Sequence, residues 1–527
     1  MKSAAVTRNQ NHFQSPSPRA IALFLAAALF IAICALPAVY MFGVSLTGPD
    51  GGLSFDNYRR LLTERRQHQL LLNSVLLGAG ASVLATVIGA PLGLLLARAR
   101  LRGKAWWRLA MLIPLITPPY VLALAWTWMA GSLAYSLTGA IIVLGVSFYP
   151  LAMLATEAAA RRVDAGLEEA ALLVAAPRRV FVRITLPLIA PAVTAAALVI
   201  FVLAISEFGV PGLLRVNVFT TEVFTAFAAL YDFGAATALS LPLLIAAMIA
   251  AIAARLIIGE RMLATRRGSR VGLSLEAGKW QSPAPALLLA VIALCVVLPV
   301  GIIAREAGGM RLIVSSLKES GDAIINSFTL AGAGATLAVA LAVFIGYGRA
   351  RMRTRWSALV DLALITLFAV PGTVAGIGLI SLWNHADWRG EIYASPLIIV
   401  IAYVARFTPV AALLLAASVR QIPVAFEEAA VIAGASWPRT FCRIVLPQML
   451  TGLFAAWVVS FIFAIGEIGA TALVAPPGES TLPVRVYTLV ANTPASNLAA
   501  LALAQVTIVF LPLALFALFV RRSEGAK

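Results

Sequence analysis

The chain has 527 residues, of which 61% are hydrophobic and only 12% are charged, and its formal net charge is +17. A water-soluble protein of this length cannot hide so much apolar surface, so the composition excludes a soluble globule and indicates a membrane protein. The positive charge would suggest nucleic-acid binding in a soluble protein. Here it lies between long apolar stretches, and we expect contact with membrane lipid and no nucleic-acid partner.

Twelve apolar stretches follow one another along the chain, each long enough for a membrane-spanning helix, which takes about 20 residues. They lie near residues 20–43, 70–96, 107–130, 137–156, 188–206, 236–258, 284–304, 325–347, 357–383, 395–418, 449–472 and 498–520. The fold class that they predict is an all-α polytopic membrane protein with about twelve transmembrane helices. Pro118, Pro119 and Pro371 stand inside two of the stretches and predict kinks there, because a proline removes a helical hydrogen bond.

The polar ends and the basic residues predict the orientation. Residues 1–19 predict a disordered cytoplasmic N-terminus. The first apolar stretch is too long for a signal-peptide core, so we expect it to remain as the first helix. With a cytoplasmic N-terminus, 29 of the 40 Lys and Arg residues lie on the cytoplasmic side, 10 on the other side, and Arg406 inside a span. Positive residues favour the cytoplasmic side, so both termini are expected there.

The two halves of the chain repeat each other. The segment "NSVLLGAG" from Asn73 returns as "NSFTLAGAG" from Asn326, and "AISEFG" from Ala204 returns as "AIGEIG" from Ala464. Such a recurrence indicates an internal duplication. Each half holds six spans, so the second half enters the membrane from the same side and the two six-helix repeats are parallel. The predicted domains are a first transmembrane domain over 20–258, a cytoplasmic linker over 259–283, a second transmembrane domain over 284–521 and a tail over 522–527.

A polar segment also occurs twice, on the predicted cytoplasmic side. Residues 168–187 read "EEAALLVAAPRRVFVRITLP", and residues 427–447 read "EEAAVIAGASWPRTFCRIVLP". In the second copy, Glu427 and Glu428 lie in the first turn of a predicted short helix, where carboxylates complement the helix dipole, and Gly434 permits a left-handed end. We expect a second short helix that ends before Pro447. Two copies in matching positions favour a docking element for a two-fold partner.

These segments resemble the EAA loop found in membrane subunits of binding-protein-dependent ABC importers of the type I architecture. The second EAA loop, near 420–447, contains Glu427 and matches the family pattern at Glu428, Ala429, Ala430, Gly434, Ile444, Leu446 and Pro447. The first EAA loop, near 161–187, contains Glu168 and matches at Glu169, Ala170, Ala171, Ile184, Leu186 and Pro187. It departs from the pattern at Ala175, where the family has glycine, and it is one residue shorter.

The resemblance implies a type I importer permease fold and a chain that fuses two permease domains. Each EAA loop would dock on one of two cytoplasmic ABC ATPase subunits, and a periplasmic solute-binding protein would deliver solute at the bacterial inner membrane. The sequence has no GxxxxGKS/T phosphate loop, so ATP and Mg are expected on the partner subunits. The chain itself is expected to bind no cofactor and not to be an enzyme.

The stretches that begin at Glu207 and Glu467 most resemble ferric-iron permeases, while thiamine, phosphonate and polyamine importers are alternatives with the same architecture. The two glutamates occupy equivalent positions, near the far ends of the fifth and eleventh stretches. A carboxylate at that depth is costly unless it faces a cavity or is paired. The pair could transiently offer hard oxygen ligands to a hard cation, without forming a stable metal site, or each glutamate could cap a helix end.

Arg406 is a third candidate for a translocation path. It lies within the tenth stretch, and the equivalent residue of the first half is Ser147. A buried, asymmetric arginine is a functional candidate, which could pair with Glu467 or favour an anionic or chelated solute.

Two other classes of protein fit parts of the sequence. A secondary transporter driven by ion gradients has the same layout of twelve helices, but it needs no paired EAA loops. A membrane-embedded enzyme is disfavoured, because the chain has only three histidines and three cysteines and no metal-binding spacing.

Overall fold

The computed structural model describes residues 17–46, 52, 54–99, 101–261, 283–352 and 356–525. Every regular element in these ranges is a helix, which confirms the predicted all-α class. Most of the predicted N-terminal segment 1–19, most of the linker 259–283 and the last two residues of the tail 522–527 lie outside the described residues.

The helices of the first half come from residues 18–261. They are α1 (Pro18–Phe30), α2 (Leu36–Ser45), α3 (Asp56–Thr63), α4 (Arg65–Arg98), α5 (Lys104–Ile116), α6 (Pro119–Ala130), α7 (Leu137–Ala160), α8 (Ala165–Leu172), α9 (Pro177–Val180), α10 (Leu186–Ser206), α11 (Gly209–Leu213), α12 (Phe219–Ala228) and α13 (Phe233–Arg261). A 3₁₀ turn at Gly131–Ala134 extends α6.

The helices of the second half come from residues 283–525. They are α14 (Pro283–Ile292), α15 (Leu298–Glu306), α16 (Met310–Glu319), α17 (Gly321–Arg351), α18 (Trp356–Ala369), α19 (Gly372–Trp383), α20 (Trp388–Tyr393), α21 (Leu397–Arg420), α22 (Ala425–Ile432), α23 (Trp437–Thr440), α24 (Leu446–Gln448), α25 (Leu450–Ile465), α26 (Thr471–Val474), α27 (Leu482–Leu489) and α28 (Ala495–Gly525).

The number of membrane crossings agrees with the sequence. In the described ranges, eight helices are long and apolar enough to cross a membrane, and three bent pairs raise the number to eleven. The twelfth predicted stretch, 498–520, falls on α28, whose segment Ala495–Phe510 is apolar. The protein is therefore a multi-pass membrane protein with about twelve transmembrane helices.

Two of the crossings are broken helices. The axes of α5 and α6 differ by 85°, and those of α18 and α19 differ by 95°. The breaks fall at Pro118 and Pro371, which have extended backbone angles and directly precede the second helix of each pair. The predicted kinks are thus confirmed, and they are sharp enough to turn the chain inside the membrane.

Four π-helical turns occur in the described part of the chain, and Leu-Pro follows each one. They span Ile31–Ala35, Phe181–Thr185, Ala293–Val297 and Phe441–Val445. In each, the N–H of the following leucine donates to a carbonyl five residues back. A proline ring would clash with the carbonyl four residues earlier in a regular helix, and we attribute the wider turns to this clash.

The first helix of each half packs on the opposite half. Ala26, Phe30 and Cys34 of the α1 region share a buried cluster with residues of α17 and α21. Leu288 and Cys295 of the α14 region join the buried cluster of α5, α6 and α7. This exchange of helices joins the two repeats into one bundle, and the sequence repeat alone did not indicate it.

The repeated "NS" dipeptides anchor equivalent short helices, α12 in the first half and α27 in the second. The hydroxyl of Ser74 accepts a hydrogen bond of 2.9 Å from the N–H of Phe219, at the start of α12. The hydroxyl of Ser327 accepts one of 2.6 Å from the N–H of Leu482, at the start of α27. Each bond gives a partner to a backbone N–H in the first turn of a helix, where no carbonyl of the same helix is available to accept it.

Candidate functional site

The three candidates for the translocation path meet in one cavity between the halves. This central cavity has a volume of about 110 Å³ and is lined by Glu207, Glu467 and Arg406. The breaks in the helices border it as well, through Pro118, Pro119 and Gly372. Apart from Ser206, its remaining wall is apolar and includes Phe148 and Phe407, which occupy equivalent positions on α7 and α21. Residues predicted separately from sequence thus form a single site.

Arg406 and Glu467 form an ion pair in the cavity wall. Nη1 of Arg406 lies 2.9 Å from Oε2 of Glu467, and the two side chains are only 13% and 10% exposed. The other carboxylate oxygen accepts a hydrogen bond of 2.9 Å from the N–H of Ala470. The pair lies directly over Gly372, where a Cβ atom would overlap both charged groups. Glycine at the start of α19 therefore makes room for the ion pair.

Glu207 has a different set of partners, because the first half has no equivalent of Arg406. Its Oε2 accepts a hydrogen bond of 2.7 Å from the N–H of Val210. Ser147, which occupies the place of Arg406, donates its hydroxyl to the carbonyl of Val143. Each glutamate thus caps a backbone N–H, which is one of the two predicted alternatives, and each also lines the cavity. The lining therefore contains two carboxyl groups and one guanidinium.

An aromatic cluster from both halves lies next to the outer part of the central cavity. The rings of Phe208 and Phe224 have centroids 4.6 Å apart, and Tyr487 of the second half lies 5.4 Å from Phe208. Phe208 also lines the cavity. The rings therefore connect the cavity wall to residues of both halves.

A second, larger cavity adjoins the first at the interface between the halves. This lower cavity, of about 440 Å³, is lined by α10 and α13 of the first half and by α18 and α21 of the second. It is apolar except for Asp361 and Arg420. Val202 and Phe368 line both cavities. The two spaces therefore follow one another along the interface between the halves, and these two side chains stand between them.

The EAA loops form short helices, as the sequence indicated. The first loop contains α8 and the second contains α22, and Gly434 follows α22 with a φ of +77°. The left-handed end predicted for Gly434 is confirmed. Ala175, in the shorter first loop, is not among the described residues with positive φ.

The expectation that the second short helix ends before Pro447 is wrong. The run from Trp437 continues through the π turn to Gln448 and then bends by 70° into α25. The π turn lets the proline enter the helix, because it removes the clash with the preceding turn.

Part of each EAA loop faces solvent and is apolar. Glu169 and Glu428 are exposed, as are Ala170 and Ala429. Leu173 and Val174 at the end of α8 are each 86% exposed, and Val431 and Ile432 at the end of α22 are 64% and 88% exposed. Exposed apolar side chains beside exposed carboxylates are the features that a docking element presents to a protein partner. The motif residues Ile184, Leu186, Pro187, Ile444, Leu446 and Pro447 lie in and after the π turns.

The first glutamate of each loop points inward. The carboxylate of Glu168 pairs with the guanidinium of Arg98 through contacts of 2.9 and 3.0 Å, and the hydroxyl of Thr185 donates to it. Glu427 pairs with Arg351 at 2.6 Å and accepts a hydrogen bond from Tyr347. Sequence analysis did not single out these partners. The sequence does contain a feature that could have predicted these pairs, because the repeated segments that begin at Asn73 and Asn326 end in basic residues, at Arg98 and Arg351.

Comparison with known proteins gives a family for both halves. The family described as "Binding-protein-dependent transport system inner membrane component" matches residues 89–306 and again 323–524. The chain belongs to this family and is a permease subunit of an ABC importer, not itself an enzyme.

Curated relatives cover most of the chain. It is 28% identical to the Fe(3+)-transport system permease protein FbpB 2 of Haemophilus influenzae, over 81% of this chain and 85% of that protein. It is 26% identical to the putative ferric transport system permease protein FbpB 1 of the same organism, over 78% of this chain and 71% of that protein. A shorter match is the putrescine transport system permease protein PotI of Escherichia coli, 28% identical over 35% of this chain and 67% of that protein.

Proposed function

We propose that this chain imports ferric iron across a bacterial inner membrane by alternating access. The observation that carries the proposal is the central cavity between the halves, where Glu207 and Glu467 outnumber the single cation Arg406. Glu467 is already paired with Arg406, so Glu207 remains as the carboxyl group that can offer oxygen atoms to a solute, and such oxygen atoms are ligands that hard metal ions prefer. The full-length similarity to two ferric transport permeases supports the same solute.

The partners follow from the family and from the two EAA loops. Two ABC ATPase subunits would bind the exposed faces of α8 and α22, bring ATP and Mg, and draw the loops together on closing. A periplasmic binding protein would release its solute at the opposite face. In this orientation both termini are cytoplasmic, in agreement with the distribution of Lys and Arg.

The arrangement of the cavities supports an inward-directed release step. Phe208 of the central cavity packs against Phe224 and Tyr487, and the lower cavity adjoins the central cavity at Val202 and Phe368. In the proposed orientation the aromatic cluster would close the outer side and the lower cavity would lead towards the cytoplasm. Solute held near Glu207 would pass Val202 and Phe368 to leave. ATP-driven approach of the EAA loops would close the lower cavity and part the aromatic cluster, which exposes the site to the binding protein.

The solute is tested by uptake of ⁵⁵Fe³⁺ in an iron-starved deletion strain. The strain is complemented with the wild-type chain, with Glu207→Gln or with Glu222→Gln, and each protein is quantified in membranes. Glu222 is a matched control because it pairs with Arg66 on the extracytoplasmic side, away from the cavity. We expect the wild type and Glu222→Gln to restore uptake, and Glu207→Gln to lower it at least tenfold.

The same strains test the identity of the solute separately from the importer architecture. If deletion and complementation leave iron uptake unchanged, the ferric proposal fails, and labelled putrescine, thiamine and phosphonate are assayed next. Loss of uptake in Glu169→Ala/Glu428→Ala, together with loss of co-purifying ATPase, would support the docking role of the EAA loops. Uptake that persists without any partner ATPase would instead favour a secondary transporter.

A further inference from the structure

The first glutamate of each EAA loop is held inside the protein, although its neighbour is exposed. The side chains of Arg98 and Glu168 are 8% and 5% exposed, and those of Arg351 and Glu427 are 9% and 14% exposed. Breaking a buried pair of this kind leaves an uncompensated charge, which is strongly unfavourable. Each pair therefore fixes its short cytoplasmic helix to the end of a long transmembrane helix.

The two pairs are equivalent under the internal repeat. Arg98 is the last residue of α4, and Arg351 is the last residue of α17. Glu168 lies in α8 and Glu427 in the first turn of α22. The same contact therefore occurs at equivalent positions in both halves.

The partners around each carboxylate differ between the halves. In the first half, Thr185 of the π turn donates to Glu168 at 2.6 Å. In the second half, Tyr347 donates to Glu427 at 2.7 Å, and Trp437 donates to the hydroxyl of Tyr347 at 3.2 Å. In the first half the carboxylate directly joins α8, α4 and the segment that follows α8, whereas in the second half Glu427 reaches the segment after α22 through Tyr347 of α17. Movement of one of these three elements is thus transmitted to the others.

The long helices continue the connection to the central cavity. Gly93 of α4 lies so close to α7 that a Cβ atom would overlap the carbonyl oxygen of Met153. Gly346 of α17 stands at the equivalent place against α21, where a Cβ atom would lie 2.9 Å from the carbonyl oxygen of Ala412. Small residues permit this close helix packing in membranes. The partner helices α7 and α21 carry Phe148 and Arg406, which line the cavity.

We infer that the Arg98–Glu168 and Arg351–Glu427 pairs are the mechanical links that convey movement of the ATPase subunits to the central cavity. The exposed glutamates face the partner, and the buried glutamates hold the short helices to α4 and α17. This inference rests on the ABC importer class of the chain and does not depend on which solute is carried. Glu168 and Glu427 are positioning residues in this assignment, because they act through the helices.

The test uses the full complex, purified through a tag on this chain and reconstituted in lipid nanodiscs. Spin labels are placed at Leu133→Cys, in the 3₁₀ turn after α6, and at Trp388→Cys, at the start of α20, two exposed positions that are expected on the extracytoplasmic side. Cys442→Ser removes the exposed native thiol. The distance between labels is measured with and without ATP and vanadate, and ATP hydrolysis is measured on the same samples. Uptake of ⁵⁵Fe³⁺ into proteoliposomes is recorded separately.

We expect Glu168→Gln and Glu427→Gln to keep ATP hydrolysis within about twofold of wild type while the ATP-induced distance change falls at least fivefold. Glu157→Gln is the matched control, because the Glu157 side chain is 4% exposed, as little as that of Glu168 and less than that of Glu427, and its ion-pair partners lie on α5 and at the end of α7. It should retain the distance change. If either link variant accumulates poorly, Thr185→Val and Trp437→Phe weaken the same links more gently and should give partial losses.

A full ATP-induced distance change in Glu168→Gln and Glu427→Gln would overturn the inference. Equal loss in Glu157→Gln would do so too, since any buried charge would then have the same effect. Absence of ⁵⁵Fe³⁺ uptake by the wild type, with a normal distance change, would count against the ferric proposal and leave the links standing.

Discussion

The ion pair in the central cavity makes a quantitative prediction about stability. Arg406→Met removes the cation and leaves the carboxylate of Glu467 in a site where it is only 10% exposed. At the N–O separation of 2.9 Å, the attraction is about 6 kcal/mol for an effective dielectric constant of about 20. Desolvation of both groups offsets part of this. Removal of one partner of a buried pair costs about 3–5 kcal/mol, and we expect a loss of that size.

The double variant distinguishes a pair from a packing effect. In Arg406→Met/Glu467→Gln neither charge remains, so the free energy of unfolding should return to within about 1 kcal/mol of wild type. The assay is unfolding of the purified protein in mixed micelles with increasing SDS, analysed as a double-mutant cycle. The exposed pair Arg305–Glu306 is the control, and Arg305→Met should change stability by about 0–1 kcal/mol. An Arg406→Met protein as stable as wild type, or a cycle without coupling, would refute the reasoning.

Three further substitutions test particular contacts. Gly372→Ala should displace the Arg406–Glu467 pair and lower uptake at least fivefold, because the new methyl group occupies their space; normal uptake would contradict the described geometry. Gly434→Ala should cost about 1–2 kcal/mol in thermal unfolding because of its φ of +77°, and no change in melting temperature would argue against the left-handed turn. Ser327→Ala should increase hydrogen exchange at the N-terminus of α27, where Ser327 accepts from the N–H of Leu482, and unaltered exchange there would show that the bond is dispensable.

Much of the architecture follows from composition and repetition. The apolar stretches determine the membrane helices because a bilayer requires continuous apolar helices, and the prolines at 118 and 371 mark the breaks because they cannot continue a helical ladder. The cavity residues Glu207, Glu467 and Arg406 were recognisable as charges within apolar surroundings, which are costly unless they face one another or a cavity.

Other features depend on packing between segments that are distant in sequence. The exchange of first helices could not be read from α1 or α14, since an apolar helix packs equally well on several neighbours in a membrane. The inward position of Glu168 was also hidden, because two adjacent glutamates look alike until Arg98 is placed beside one of them. A π turn forms only where a helix continues past a proline, and this continuation depends on the packing around it. From the proline alone we expected the helix to end before Pro447, which it does not.

The exchange of first helices also bears on how the protein is made. The region of α1 and α2 leaves the ribosome well before its packing partners on α17, α19 and α21 exist. At a synthesis rate of about 5–20 residues per second, the roughly 300 intervening residues take about 15–60 s. During this time, the face of the first helix that will later pack on α17 and α21 is exposed to lipid. Assembly of the amino-terminal half is therefore completed only when the carboxy-terminal half has been inserted.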